Sequence, residues 1–398
     1  MVKKILIVGT NLDCGGKEKS LISLLQSIDL KKYKVSLLLT DSNKTKQMFM
    51  KYVPEDIEIK YFPEEYDWIF IPKNNILSAF RKSLGYNLNF SALLYFTAKG
   101  IISKNMVIAR QQLWKNCSGR IPDIQGHYYV AIDYTGGHKN LILDKVNANK
   151  KITWIHSDYK VYKRDKIIDL KEYECLDAII TVSKTCNDIF ISEFPQLADK
   201  SYIMHNISNK KQIIKMSNED VDFDNDFTGV KILDITRLDP NKGLDIAIKS
   251  CRALLEQGYN IKWYILGDGP ERFKLETLIK QNKLEDNFIL LGLKDNPYPF
   301  IKEADMIVHC SLFEGRSVSI DEAMLLAKPI ILTNYPTAKD QIINGENGFI
   351  CNADVEGVCE AVKYLIENKS IMEQLSHALN DFDISIKNSI EVLEQVMK

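Results

Sequence analysis

The stretch richest in side chains suited to chemistry is Ser311-Leu-Phe-Glu314-Gly-Arg-Ser-Val-Ser-Ile-Asp-Glu322-Ala-Met, where two glutamates stand with seven residues between them. Met306-Ile-Val-His-Cys ahead of it predicts a short buried strand, and Ala323-Met-Leu-Leu-Ala behind it predicts the opening of a helix. Glu314 then lies in the loop and Glu322 in the first helical turn. A loop entering a helix offers unpaired N–H groups and the positive end of a dipole, which suits a phosphate. In that setting Glu314 can accept hydrogen bonds from sugar hydroxyls and Glu322 from a ribose. The same residues also spell a capping box, Ser319-Ile-Asp-Glu322, whose glutamate would serve only the helix's own backbone.

The elements that must position these groups alternate between strand and helix. Lys4-Ile-Leu-Ile-Val8 predicts a buried parallel strand that runs into Gly9-Thr-Asn-Leu-Asp-Cys-Gly15-Gly16-Lys17 and then a helix carrying Leu21, Leu24, Leu25 and Ile28 on one face. Strand, glycine-rich loop and helix form the phosphate-approach arrangement of open α/β sheets. The glycines fit neither Gly-x-Gly-x-x-Gly nor a Walker loop, and a plain tight turn explains Gly15-Gly16 almost as well. Strands follow at 33–39, 130–133, 151–156, 178–182 and 202–206, the fourth of this half ending in His156 where an open-sheet ligand site would lie. A second set begins at Val230-Lys-Ile-Leu-Asp-Ile-Thr236 and continues at 262–266, 288–291, 306–310 and 329–333. His309, inside an apolar run, reads as a core residue. Between the sets, residues 208–228 are polar and read as a connection. Within them Asp222-Phe-Asp224-Asn-Asp226 lacks the glycine and the closing glutamate of a calcium loop.

A chain of 398 residues suits two domains, and 45% apolar with 26% charged residues describes a folded globular protein. With 52 Lys plus Arg against 53 Asp plus Glu, net charge points to no nucleic acid or other strongly charged partner. Eight scattered cysteines show no Cys-x-x-Cys pair or metal-ligand spacing and read as reduced residues of a cytoplasmic protein. The N-terminal apolar run is too short for a signal peptide, and no uncharged apolar stretch is long enough to span a bilayer.

With Arg237-Leu-Asp-Pro-Asn-Lys242-Gly, Gly267-Asp-Gly-Pro, Gly292, Ser311 to Met324, Lys328-Pro-Ile and Gly345-Glu-Asn-Gly348 in hand, the second half resembles the retaining GT-B glycosyltransferases of family 4 along nearly its whole length. The first half shares Gly15-Gly16 and Trp154-Ile-His156-Ser-Asp158 with them. The resemblance implies two doubly wound Rossmann-like domains facing a cleft: residues 1–207 on the acceptor side, a 208–228 linker, and a nucleotide-sugar-binding domain at 229–375. The 376–398 segment would be a closing helix, with a return onto the first domain left open.

It further implies transfer of a sugar from a nucleotide-diphosphate donor, UDP-linked, to a growing glycan, and the basic segment 73–122 described below adds the expectation of a lipid-linked acceptor in capsular or other surface polysaccharide synthesis. No metal or cofactor would be needed, because a phosphate oxygen of the leaving group helps deprotonate the acceptor. Arg237 and Lys242 would neutralise the diphosphate, with Glu314 and His156 completing the catalytic set. The donor would be held by Gly15, Gly16, Arg237, Lys242, Gly267, Glu314, Gly315, Arg316, Ser317 and Glu322. The chain departs from its relatives at Arg316, where an extra phosphate contact is expected, and at Thr337-Ala338 and Asp340. These changes lie near the donor sugar and leave its identity open. Two rival classes are a non-catalytic nucleotide-sugar-binding subunit and a GT-B sugar-nucleotide epimerase. The Glu-x7-Glu series with Arg237 and Lys242 favours the transferase.

One segment breaks the charge balance. Residues 73–122 hold no acid but eight cations, Lys73, Arg81, Lys82, Lys99, Lys104, Arg110, Lys115 and Arg120, interleaved with aromatics that include Phe80, Tyr86, Phe90 and Trp114. Such a segment suits an anionic membrane surface, and a peripheral place on the inner face of the cell membrane is expected. Helices packed on the first domain with solvated cations would read the same way.

Overall fold

The computed structural model describes residues 2–13, 15–41, 47–70, 106–383 and 386–398. It divides into two units, Met1–His205 with Lys387–Lys398, and Asn206–Ile386.

The first unit is built on a parallel sheet of seven strands: β1 (Lys3–Gly9), β2 (Tyr33–Leu39), β3 (Glu58–Tyr61), β4 (Ile124–Asp133), β5 (Val146–Ile155), β6 (Ala178–Thr181) and β7 (Ser201–Ile203). Their order is β3-β2-β1-β4-β5-β6-β7. Ile5, Leu6, Ile7 and Val8 are fully buried, as a continuous apolar run must be when helices cover both faces of a parallel sheet. The chain winds outward from β1 to β3 and returns on the other side of β1 as β4. That reversal opens a crevice beyond the carboxyl ends of β1 and β4.

The second unit repeats the plan with β8 (Val230–Ile235), β9 (Ile261–Leu266), β10 (Phe288–Gly292), β11 (Met306–His309), β12 (Ile330–Thr333) and β13 (Phe349–Cys351), ordered β10-β9-β8-β11-β12-β13. Here the reversal falls between β8 and β11. The Leu244–Glu256 helix lays Leu244, Ala247, Ile248, Cys251 and Leu254 onto a core that includes Ile232, Trp263 and Val308, and their three- and four-residue spacing makes one apolar face.

Three expectations are corrected. The 208–228 segment is no free connection. It contains a helix, Lys210–Met216, and Phe223 is buried against Tyr264 and Phe300 in the second unit's core. Asp224 receives Lys262 Nζ at 2.5 Å and the Tyr264 hydroxyl at 2.6 Å, so its polar residues bind to the sheet. The 376–398 segment is not one helix either. Lys369–Ala378 ends a helix of the second unit, while Ile386–Met397 lies on the first, where Glu394 pairs with Lys32 at 2.6 Å. Finally, Trp114 is not an interfacial aromatic. It sits in the Met106–Cys117 helix, buried in the first unit's core, with its indole N–H donating to Asp144 at 2.6 Å. Lys73, Phe80, Arg81, Lys82, Tyr86, Phe90, Lys99 and Lys104 lie outside the described residues. Among the described residues no helix is long and apolar enough to cross a membrane.

Candidate active site

The loops leaving β8 and β11 are stitched together at the second unit's reversal point. Leu312 N–H donates to the Asn241 carbonyl at 2.9 Å, and the Ser311 hydroxyl to the same oxygen at 3.3 Å. Lys242 ends the turn Pro240–Lys242, and Gly243 follows in the left-handed region at φ +60°. A Cβ at Gly243 would sit 2.0 Å from the Cys310 carbonyl, so only glycine lets the two loops approach this closely. The same logic holds at Gly267, where φ is +151° and a Cβ would fall 1.9 Å from the Thr236 carbonyl.

This approach brings Lys242 Nζ to 2.5 Å from Glu314 Oε1. His309 Nε2 lies 2.9 Å from the same oxygen, and its Nδ1 lies 2.8 Å from Asp234 Oδ1. Thr337 fixes the loop by donating its hydroxyl to the Glu314 carbonyl at 3.0 Å. Burial alone would raise the Glu314 carboxyl, but the Lys242 ammonium and the His309 ring outweigh it and hold it down to about 2. Burial likewise lowers the His309 imidazole, yet Asp234 and Glu314 win and raise it to about 9. Near neutrality His309 is therefore protonated and Glu314 ionised. His309 is buried as expected, but it is a charged member of the site and not a packing residue. Two polar residues near the ends of apolar runs, Asp234 and His309, were the available signal.

Arg237 stands just after β8, 66% exposed, with only Asp239 at 3.1 Å as its ion partner among the described residues. It is open to an anion. Arg316 is not. Its guanidinium grips buried Asp321 at 2.7 and 2.9 Å and donates to the Asp340 carbonyl at 3.1 Å, so the expected phosphate contact finds it already engaged. Gln341 completes this block, donating to Asp321 at 2.9 Å and to the Ser317 carbonyl, and accepting the Ser317 N–H. Gly315 is buried between Glu314 and this block. The departures at Arg316, Thr337 and Asp340 thus form one mutually bonded support beneath Glu314.

The capping box is corrected as well. The helix Val318–Leu325 starts at Ser317, which makes no side-chain cap bond, and Ser319 already lies inside it. Glu322 is buried and accepts the Tyr298 hydroxyl at 2.9 Å. Tyr298, from the Tyr298–Glu303 helix, has no sequence signature and was missed.

In the first unit, Gly15 and Gly16 begin the Gly16–Ser27 helix beyond β1. A Cβ on Gly15 would meet only the movable carboxylate of Glu18. His156 follows β5, its Nε2 donating to the Tyr134 carbonyl at 2.6 Å, and the Tyr134 hydroxyl donates to Ser20 of the Gly16–Ser27 helix at 2.7 Å. Burial, helped by the Lys17 charge, lowers the His156 imidazole to about 3, so the ring is neutral. Among the described residues no group of His, Cys, Asp and Glu is arranged to hold a metal ion.

Residues 218–380 match the family model described as glycosyl transferases group 1. An uncharacterized glycosyltransferase of Methanocaldococcus jannaschii is 32% identical over 217 residues, 51% of this chain and about half (53%) of the relative's length. The N-acetylgalactosamine-N,N'-diacetylbacillosaminyl-diphospho-undecaprenol 4-alpha-N-acetylgalactosaminyltransferase of Campylobacter jejuni is 23% identical over 93% of this chain and 92% of its own. Over the full length of both chains the fold resembles that of an S. aureus TarM mutant crystallised with fondaparinux, alpha-GlcNAc-glycerol and UDP, at a TM-score of 0.71 and 14% identity. The fold is GT-B, two Rossmann-like α/β units with parallel sheets. The family match and the relatives make residues 218–380 similar to glycosyl transferases group 1.

Proposed function

We propose that the chain is a retaining glycosyltransferase using a UDP-sugar donor and a growing, lipid-linked glycan acceptor, in capsular or other surface polysaccharide synthesis. The observation that carries this is the convergence of Lys242, Glu314 and His309 at the reversal point of the second sheet. Glu314 has both cationic partners on Oε1, and among the described residues Oε2 accepts no hydrogen bond, which suits it to a donor-sugar hydroxyl. Lys242 and exposed Arg237 supply positive charge at the same strand ends, where a diphosphate leaving group needs it. In the reaction the bond from the sugar's anomeric carbon to the diphosphate oxygen breaks. The acceptor oxygen forms the new bond, and its proton passes to a phosphate oxygen of the leaving group. Lys242 and Arg237 stabilise the charge that accumulates, so turnover proceeds without a metal. Glu322 binds the ribose and Tyr298 aims it. His156, neutral and with Nε2 held by the Tyr134 carbonyl, brings no positive charge to the strand ends of the first unit.

The name of the Campylobacter relative, with its diphospho-undecaprenol acceptor, supports a lipid-linked glycan. The cations of residues 73–122 favour binding at an anionic, cytoplasmic membrane face; among the described residues, Lys115 and Arg120 are exposed. The test incubates purified protein with a panel of nucleotide-sugars and excess EDTA, with and without anionic vesicles. One donor should slowly release its nucleotide, and the protein should co-sediment with anionic but not neutral lipid. Release from none of them would overturn the transferase reading, and loss restored by Mg²⁺ would overturn metal independence.

A further inference from the structure

Asp234 and His309 take no step of their own in the reaction proposed above, yet the sheet sets them side by side at adjacent strand ends. Asp234 is next to last in β8 and His309 is last in β11, the adjacent strand. Both are about 1% exposed. Asp234 Oδ1 meets His309 Nδ1 at 2.8 Å, while Oδ2 is buried with no hydrogen-bond partner among the described residues. A carboxylate held like this in an apolar sheet is costly unless an opposite charge lies against it.

The groups facing His309 come from four elements. Asp234 projects from β8, and Glu314 from the loop after β11. Lys242 reaches it through Glu314, and Tyr335, after β12, meets the ring edge-on at a centroid distance of 6.2 Å. Acidic and basic side chains alternate along this line: Asp234, His309, Glu314 and Lys242. The arrangement answers a difficulty in the reaction. If Lys242 is to meet a diphosphate, it must release Glu314, and a buried carboxylate left with no second cation would take up a proton or turn away.

We propose that His309, braced by Asp234, is the resident cation of the site, keeping Glu314 ionised and aimed when Lys242 turns to the diphosphate. What Lys242 turns toward rests on the glycosyltransferase reading; the charge and bracing of His309 do not. No bond is made or broken by the pair, so His309 is a positioning residue and Asp234 positions it in turn. The ring carries its proton because Asp234 and Glu314 outweigh its burial. Lys242→Gln should therefore leave it charged, and Asp234→Asn should not.

The test records ¹⁵N-histidine NMR spectra of the full chain near neutral pH, with the His309 signals assigned by their loss in His309→Gln. The ring should be doubly protonated in the wild type and in Lys242→Gln, and singly protonated in Asp234→Asn. A neutral ring in the wild type, or in Lys242→Gln, would overturn the proposal. Turnover of the active donor adds a second arm. His309→Gln should lower kcat about 10²-fold, as loss of an electrostatic donor does, with donor KM nearly unchanged. Asp234→Asn should lower it about 10-fold, the effect of losing one hydrogen bond to a charged group. Wild-type kcat in His309→Gln would also overturn the proposal. If the wild type consumes no nucleotide-sugar, the transferase reading falls while the spectra still decide the role of His309.

Discussion

The chain leaves β5 at His156 and leaves β11 on His309, so each unit buries an imidazole at the carboxyl end of a central parallel strand. In the first unit the ring donates to a backbone carbonyl and lies near the Lys17 charge, and it stays neutral. In the second it lies between two carboxylates and is charged. Fold and burial are shared. The partners alone set the protonation state, through ordinary Coulomb and hydrogen-bond effects competing with desolvation. A Rossmann-like sheet thus supplies the address, and the residues on neighbouring strands supply the chemistry.

The strongest way to break this comparison is at Glu314. Glu314→Gln keeps the shape and a hydrogen-bonding group but leaves Lys242 and His309 without their shared anion. Turnover of the donor should fall about 10²- to 10³-fold while circular dichroism reports a folded protein. Activity near the wild-type level would show that the second unit's charged cluster is only structural.

pH separates the two histidines. The His309 value is raised, so its stabilising contribution is complete below the ordinary histidine value near about 6.5 and is lost as pH rises through about 9. The His156 value is lowered, so its contribution is present above about 6.5 and lost as pH falls toward about 3. Glu314, also lowered, adds to the acid side only below about 4.3. Melting temperatures followed across pH should decline on both sides. His309→Gln should flatten the alkaline decline and His156→Gln the earlier part of the acid one. The reverse assignment, or no change in either limb, would dissolve the contrast.

A smaller effect is expected at the ribose end. Tyr298→Phe removes one hydrogen bond to Glu322, worth about 1 kcal/mol. Donor KM should rise a few-fold with kcat almost unchanged, and a kcat loss matching that of Glu314→Gln would place Glu322 in the chemistry instead.

Much of this was legible in the sequence because the physics is local. Continuous apolar runs such as Ile5–Val8 and Met306–Val308 announce strands covered on both faces. Lys242-Gly243 and Gly267 stood out in the sequence as motif residues, and the structure shows that they mark close loop approaches that only glycine permits. The strands at Glu58–Tyr61 and Phe349–Cys351 escaped notice because they are short, half-buried edges without such runs. The 208–228 segment misled because one phenylalanine, Phe223, anchors it, while its polar residues bond to the sheet. Site partnerships were harder still. Asp234 and His309 are 75 residues apart, and only strand adjacency brings them together. Arg316 looked free because Asp321 and Gln341 look like ordinary helix and loop residues until the loop folds over them.

The most direct test of the donor site is calorimetric titration of UDP into the full chain and into Lys242→Gln. The wild type should bind at a single site, and Lys242→Gln should bind at least about 10-fold more weakly, a loss of about 1.4 kcal/mol. Equal affinities, or no binding by the wild type, would contradict the assignment of the Lys242–Glu314–His309 cluster as the place where the donor's diphosphate is received.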